Sequence, residues 1–128
     1  MAYENLVRLA EVMDRLRSPG GCPWDAEQTH ESLLKYLLEE SYEFVESVES
    51  GSRLDMREEL GDILLQVYFH SRIAEEHGDD PFTVDDVARV VADKLISRHP
   101  HVFSDAKVSS SGDVLENWEK IKRAEKGR

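Results

Sequence analysis

Residues 30–77 read HESLLKYLLEESYEFVESVESGSRLDMREELGDILLQVYFHSRIAEEH, two helix-period runs on either side of Gly51-Ser52. Over 30–50, Leu34, Leu37, Leu38, Val45 and Val48 recur at helical spacing, and Thr29 is a suitable N-cap. Over 54–77, Leu60, Ile63, Leu64, Val67 and Ala74 make one stripe. Leu65, Phe69 and Ile73 make another on a different side, and Gly78 ends the run. A helix apolar on two sides is buried on two sides. In so short a chain one of those sides meets another subunit, so an oligomer is expected. The short turn near residue 51 makes the two helices antiparallel neighbours.

Three further helices surround this hairpin. The first runs from about 3 to 18, with Leu6, Leu9, Val12, Met13 and Leu16 on one face, and stops at Pro19-Gly20-Gly21. A loop follows, Cys22-Pro23-Trp24-Asp25, whose large ring either tucks onto the core or has a use of its own. Pro81 and Thr83 open a helix that reaches about His99, with Val84, Val87, Ala88, Val91 and Leu95 on its inner face, and Pro100 ends it. Ser109-Ser110-Ser111-Gly112 reads as a linker. A last amphipathic helix at about 113–125 carries Val114, Leu115, Trp118 and Ile121. With five helices and no strand, the expected fold is an all-α antiparallel bundle, one domain over 1–128.

Composition narrows the function classes. Hydrophobic residues make up 40% and charged residues 34%, a globular mixture. The net charge of −11 comes without a dense basic patch, which argues against a nucleic-acid polymer as partner. No apolar run has the length of a signal peptide or a membrane span. A single cysteine, Cys22, rules out an internal disulfide and fits a reducing, cytoplasmic compartment. If the ligand is a phosphate, a cation must bridge it to so acidic a chain.

The chemistry concentrates in Glu39-Glu40-Ser41-Tyr42-Glu43 and Glu58-Glu59-Leu60-Gly61-Asp62. From 39 to 62 there are nine acidic residues and only two basic ones, Arg53 and Arg57. Glu40 and Glu43 are i and i+3 on one helix, as are Glu59 and Asp62 on the next. Counted from residue 51, Glu43 and Glu59 are each eight residues away, and Glu40 and Asp62 each eleven. In an antiparallel hairpin such pairs lie at equal heights, so four carboxylates meet at two levels one turn apart. Each pair of charges at about 4 Å costs on the order of 1–4 kcal/mol unless protons, bases or a hard cation relieve it. Oxygen-only donors point to Mg²⁺ or Mn²⁺ rather than zinc. His70, His77, His99 and His101 show no zinc spacing with Cys22. A Glu-rich helix face is ordinarily just solvated. Here, however, the acids are flanked by Leu33, Tyr36 and Phe44 on one helix and by Gln66, Phe69 and Ile73 on the other. That apolar bulk argues for a wet pocket between helices or between subunits.

At these residues the sequence resembles the MazG family, whose motif is E-E-x-x-E, a spacer, then E-x-x-D. Further matching strings are Gly21-Cys22-Pro23-Trp24-Asp25, Glu59-Leu60-Gly61-Asp62-Ile63-Leu64 and Asp93-Lys94-Leu95-x-x-Arg98-His99-Pro100-His101-Val102-Phe103. The resemblance covers about 5 to 123. It implies an all-α bundle assembled as a dimer or a higher oligomer such as a tetramer. It also implies Mg²⁺-dependent hydrolysis of nucleoside triphosphates, ribo- or deoxyribo-, to monophosphate and pyrophosphate. Carried over by position, Glu40, Glu43, Glu59 and Asp62 are metal ligands. Glu39 either lies just outside the metal ligands or orients the water. In the mechanism expected from these roles, Glu39 or Glu43 takes the proton of the attacking water as general base. Lys94 and Arg98 face the phosphates and Trp118 lies near the nucleotide. Trp118 and Trp24 read equally as core anchors and as base-stacking rings, and Lys94 alone reads as a solvated helix end. Many family members carry two tandem copies of the domain. This chain has one, most like the first, which leaves the substrate preference open and makes self-association more necessary. House-cleaning or control of the nucleotide pool is the implied role. The competing class is a non-catalytic helical oligomer that binds a nucleotide or a partner protein and forms no pyrophosphate.

Overall fold

A computed structural model describes residues 2–126, and all the regular structure among them is helical. The order is α1 (Glu4–Arg17), α2 (Pro23–Glu27), α3 (His30–Ser50), α4 (Arg53–Ala74), α5 (Val84–Arg98), α6 (Pro100–Phe103) and α7 (Ser111–Lys126). The all-α expectation holds. Two short helices add to it, α2 in place of the loop at 22–25 and α6 starting at Pro100. Pro23 and Pro100 each stand in a first turn, where the missing N–H costs nothing, so each starts a helical turn as well as ending what precedes it. The chain gathers into two compact units that divide at Val84 and Asp85.

The α3–α4 hairpin dominates the first unit. Thr29 caps α3 in a reciprocal box: its Oγ1 accepts from Ser32 N at 3.0 Å, and Ser32 Oγ accepts from Thr29 N at 2.8 Å. Gly51 ends α3 with φ 75°, a conformation open to a residue without Cβ. Ser52 Oγ then accepts from Asp55 N at 3.2 Å and starts α4. So tight a reversal lays α4 back along α3.

The core of this unit is Met13, Leu33 and Phe69, ringed by Leu16, Tyr36, Leu65 and Ile73. This corrects the sequence reading of α3. Leu34, Leu38, Val45 and Val48 were expected to face inward, yet each is about half exposed, and Leu33 is the buried leucine. On α4 the Leu65, Phe69 and Ile73 side is the core, whereas Leu60 and Val67 are exposed. Periodicity finds a stripe but cannot say which of two stripes a neighbour covers. The same holds for α5, whose expected inner residues Val91 and Leu95 are exposed.

Arg17 fastens the first unit together. Its side chain is 9% exposed, and it donates to the Asp25 and Gln28 carbonyls at 2.7 and 2.9 Å and to Glu76 at 2.7 Å. One guanidinium thereby joins the end of α1 to α2 and its C-cap and to the turn after α4. Arg17→Met keeps the stem but orphans these acceptors. It is expected to lower unfolding free energy by about 2–3 kcal/mol, read from urea denaturation. Gly21 lets the chain pass close to α1, because a Cβ there would meet the carbonyl oxygens of Arg15 and Leu16.

In the second unit, Ser110 Oγ accepts from Asp113 N at 3.2 Å, and Asp113 accepts from Ser109 N at 3.0 Å. These contacts cap α7, so Ser111 and Gly112 belong to the helix and not to a linker. Arg98, at the end of α5, is buried; it donates to Glu125 of α7 at 2.9 Å and lies over the Trp118 ring at 5.3 Å.

Candidate metal and substrate site

Glu40 and Glu43 project from α3, and Glu59 and Asp62 from α4; each offers a carboxylate oxygen, all within 4.8 Å of one another. The face of α3 that carries Glu40 also carries Leu33, and that of Asp62 carries Phe69, so the acids lie on the inward side of the hairpin. The partners match the heights counted from the turn. Among neighbouring charges Asp62 acts most strongly on Glu40, and Glu43 most strongly on Glu59.

Electrostatically this is a strained cluster. Burial first, then the charges of Asp62, Glu43 and Glu59, push the Glu40 carboxyl from 4.5 up to about 7. Burial and Glu43 raise Glu59 as well. Glu43 lies within hydrogen-bonding reach of both and links the two helices. Oε2 of Glu40 and Oε2 of Glu59 are buried and have no hydrogen-bond partner among the described residues. Buried carboxylate oxygens without donors lack a counter-charge. A hard cation meets that need. Around an octahedral Mg²⁺, oxygens sit roughly 2.9 Å apart when adjacent and 4.2 Å when opposite, within the span of this cluster. The all-oxygen donor set is of the kind that hard divalent cations take.

The other candidates distribute as follows. Glu39 is exposed on α3 and is not one of the four clustered acids. Trp24 is 48% exposed and sets its edge against Tyr36 at 5.9 Å and Phe69 at 6.4 Å, so it rests on the core aromatics. Lys94, Arg98 and Trp118 belong to the second unit; Lys94 is exposed, whereas Arg98 and Trp118 touch each other. Sequence reasoning gave no sign of the His30–His70 pair. Their Nδ1 atoms are 2.8 Å apart in nearly parallel rings, within hydrogen-bonding distance, and burial, then the charge of His30, lowers the proton affinity of His70. Forty residues separate the two, and no spacing rule joins them.

A model of the MazG nucleotide pyrophosphohydrolase domain matches residues 28–103, which hold all four clustered acids and also Lys94 and Arg98. The chain belongs to the MazG family. Its relatives include a nucleoside triphosphate pyrophosphohydrolase/pyrophosphatase MazG from Thermotoga maritima, 52% identical over 94% of this chain and 45% of that protein. A nucleoside triphosphate pyrophosphohydrolase from Mycobacterium tuberculosis is 51% identical over 98% of this chain and 38% of its own length. The chain spans between a quarter and about half the length of the curated relatives it matches. The crystal structure of a mazG-related protein from Thermotoga maritima superposes with a TM-score of 0.72 at 28% identity, covering 91% of this chain and 98% of that one. The MazG fold and the sequence family therefore agree.

Proposed function

We propose that this chain is a Mg²⁺-dependent nucleoside triphosphate pyrophosphohydrolase, cleaving ribo- or deoxyribonucleoside triphosphates to the monophosphate and pyrophosphate. The observation that carries the proposal is the four-carboxylate cluster with its two partnerless buried oxygens. Glu40, Glu43, Glu59 and Asp62 would hold the ion, Mn²⁺ being the alternative. Bound there, the ion supplies charge neutralisation for the triphosphate and polarises the α-phosphoryl group. The chain's own groups do the remaining work. Glu39 or Glu43 takes the proton of the attacking water. Lys94 and Arg98 meet the charge that builds on the leaving pyrophosphate. Trp24 and Trp118 offer ring faces to the base.

The test is a panel of triphosphates with Mg²⁺ and then with EDTA, identifying the phosphorus product. Pyrophosphate with monophosphate, lost in EDTA, is expected; orthophosphate with diphosphate would place the cut elsewhere and refute the reading. The physiological role we propose is clearance or control of the nucleotide pool in the cytoplasm. No described helix is long and apolar enough to cross a membrane.

The proposed active form is a homo-oligomer, a dimer or tetramer, with a second copy covering the exposed stripe of α3. Leu34 and Leu38 are 54% and 61% exposed, with Val45 and Val48 of the same helix and Leu60 and Val67 of α4 also open, apolar surface that a second copy would cover. Light scattering should give a multiple of 14.7 kDa, and Leu34→Glu with Leu38→Glu should shift it to the monomer mass.

A further inference from the structure

Arg98 is nine-tenths buried, and a guanidinium keeps its charge wherever it is placed. Its NH2 donates to Glu125 Oε2 at 2.9 Å, and its plane lies against Trp118 at 5.3 Å. Among the described residues its buried Nε has no hydrogen-bond partner. The rigid fork that would grip two oxygens side by side is therefore only part-used.

Glu125 is an odd partner for it. It is the next-to-last residue of α7 (Ser111–Lys126), where the helix dipole presents its negative end and disfavours a carboxylate. The Arg98 charge offsets that cost. His99 sets its ring edge-to-face with Trp118 at 5.0 Å, its Nδ1 donating to the Leu95 carbonyl at 2.7 Å. A planar anion, a guanidinium with a spare donor and an aromatic ring thus occupy one place within the second unit.

We infer that Glu125 is an internal stand-in for a phosphoryl group: its carboxylate occupies Arg98 in the substrate-free chain and must be displaced before Arg98 can grip a triphosphate. The inference rests on the proposed role of Arg98 and adds a competitor that the role itself does not require. Carboxylate and phosphate oxygens suit the same guanidinium geometry, so the exchange swaps one charged pair for another. Glu125 would thereby set substrate affinity without touching the reacting atoms.

The experiment compares wild type, Glu125→Gln, Glu125→Asp, Arg98→Lys and Glu119→Gln as an exposed control on α7. Two quantities are read on the full chain: KM and kcat for pyrophosphate release, and affinity for inorganic tripolyphosphate in EDTA by calorimetry. Circular dichroism checks that each variant folds. Glu125→Gln is expected to lower KM roughly fivefold with kcat unchanged and to tighten tripolyphosphate similarly, as when a partly exposed competing ion pair is removed. Glu125→Asp, which withdraws the charge without deleting it, should move the same way by less, and covers the case in which the glutamine variant misfolds. Glu119→Gln should match wild type. Arg98→Lys should raise KM and weaken tripolyphosphate. If Arg98→Lys does so but the Glu125 variants leave KM unchanged or raised, the competitor is overturned and the phosphate role of Arg98 survives. If Arg98→Lys changes neither quantity, that role fails and the inference falls with it.

Discussion

Glu43→Gln is expected to remove about 10³ of kcat/KM, roughly 4 kcal/mol of transition-state stabilisation, without lowering the stability of the metal-free protein. The two halves of this expectation have one cause. Glu43 is the acid that reaches both Glu40 and Glu59, so it couples the α3 pair to the α4 pair. A glutamine keeps its length and a carbonyl oxygen but loses the charge that draws a divalent ion, and its amide nitrogen presents a donor where an acceptor is needed. Activity therefore falls steeply. In the metal-free chain the same charge is repulsive, and its removal relieves Glu40 and Glu59. The melting temperature in EDTA should stay level or rise, while the increase produced by Mg²⁺ should disappear. Glu46→Gln, an exposed acid on the same helix, serves as the control and should change neither. A variant that loses activity because it unfolds would point to a structural carboxylate. Full activity in a folded Glu43→Gln would remove the metal assignment altogether.

Much of this site was readable because hairpin geometry is arithmetic. Once Gly51 is recognised as the turn, residues eight and eleven positions away on each side must face one another, and the charges that act most strongly on Glu40 and Glu59 belong to those partners. The helices were readable for a similar reason, since Thr29, Gly51 and Ser52 carry local capping chemistry that needs no distant partner. What could not be read depends on contacts remote in sequence. Leu33 and Leu34 are adjacent leucines, yet one is buried and the other open. Only the placement of Met13 and Phe69, twenty and thirty-six residues away, distinguishes them. Arg98 has a charge and a motif that suggest a ligand, but its partner lies 27 residues away on α7 at no helical spacing. His30 and His70 meet across forty residues by the same kind of accident of packing. Local rules thus located the acids, and tertiary packing decided which apolar face and which cations were left open.

The stability of the metal-free chain should fall as pH rises from about 4.5 to 7, and Mg²⁺ should abolish the fall. Glu40 titrates near 4.5 when unfolded and near 7 when folded, so within this window the folded chain binds the extra proton. Stability then decreases with pH, is highest on this account below 4.5, and levels off above 7. Glu59 is raised in the same direction and adds to the slope. Glu76 and Asp113 are lowered, by Arg17 and by Ser109 respectively, so their stabilisation is present at higher pH and is lost only as pH drops through their folded values. His70 is also lowered, so its effect runs upward with pH to 6.5 and partly opposes Glu40. On the proposed assignment the metal separates these contributions, because only the clustered acids would exchange protons for Mg²⁺. Unscreened, a shift of this size would correspond to roughly 3 kcal/mol, but Glu40 is only half-buried and solvent screening reduces the expected effect to about 1 kcal/mol. That moves the melting temperature by about 4 °C in a chain of this size. Melting curves recorded in EDTA and in excess Mg²⁺ should therefore nearly coincide at pH 4.5 and diverge steadily toward pH 7, and Glu40→Gln should flatten the EDTA series. Parallel curves at every pH would mean that the carboxylates are already relieved by some other group and have no use for an ion.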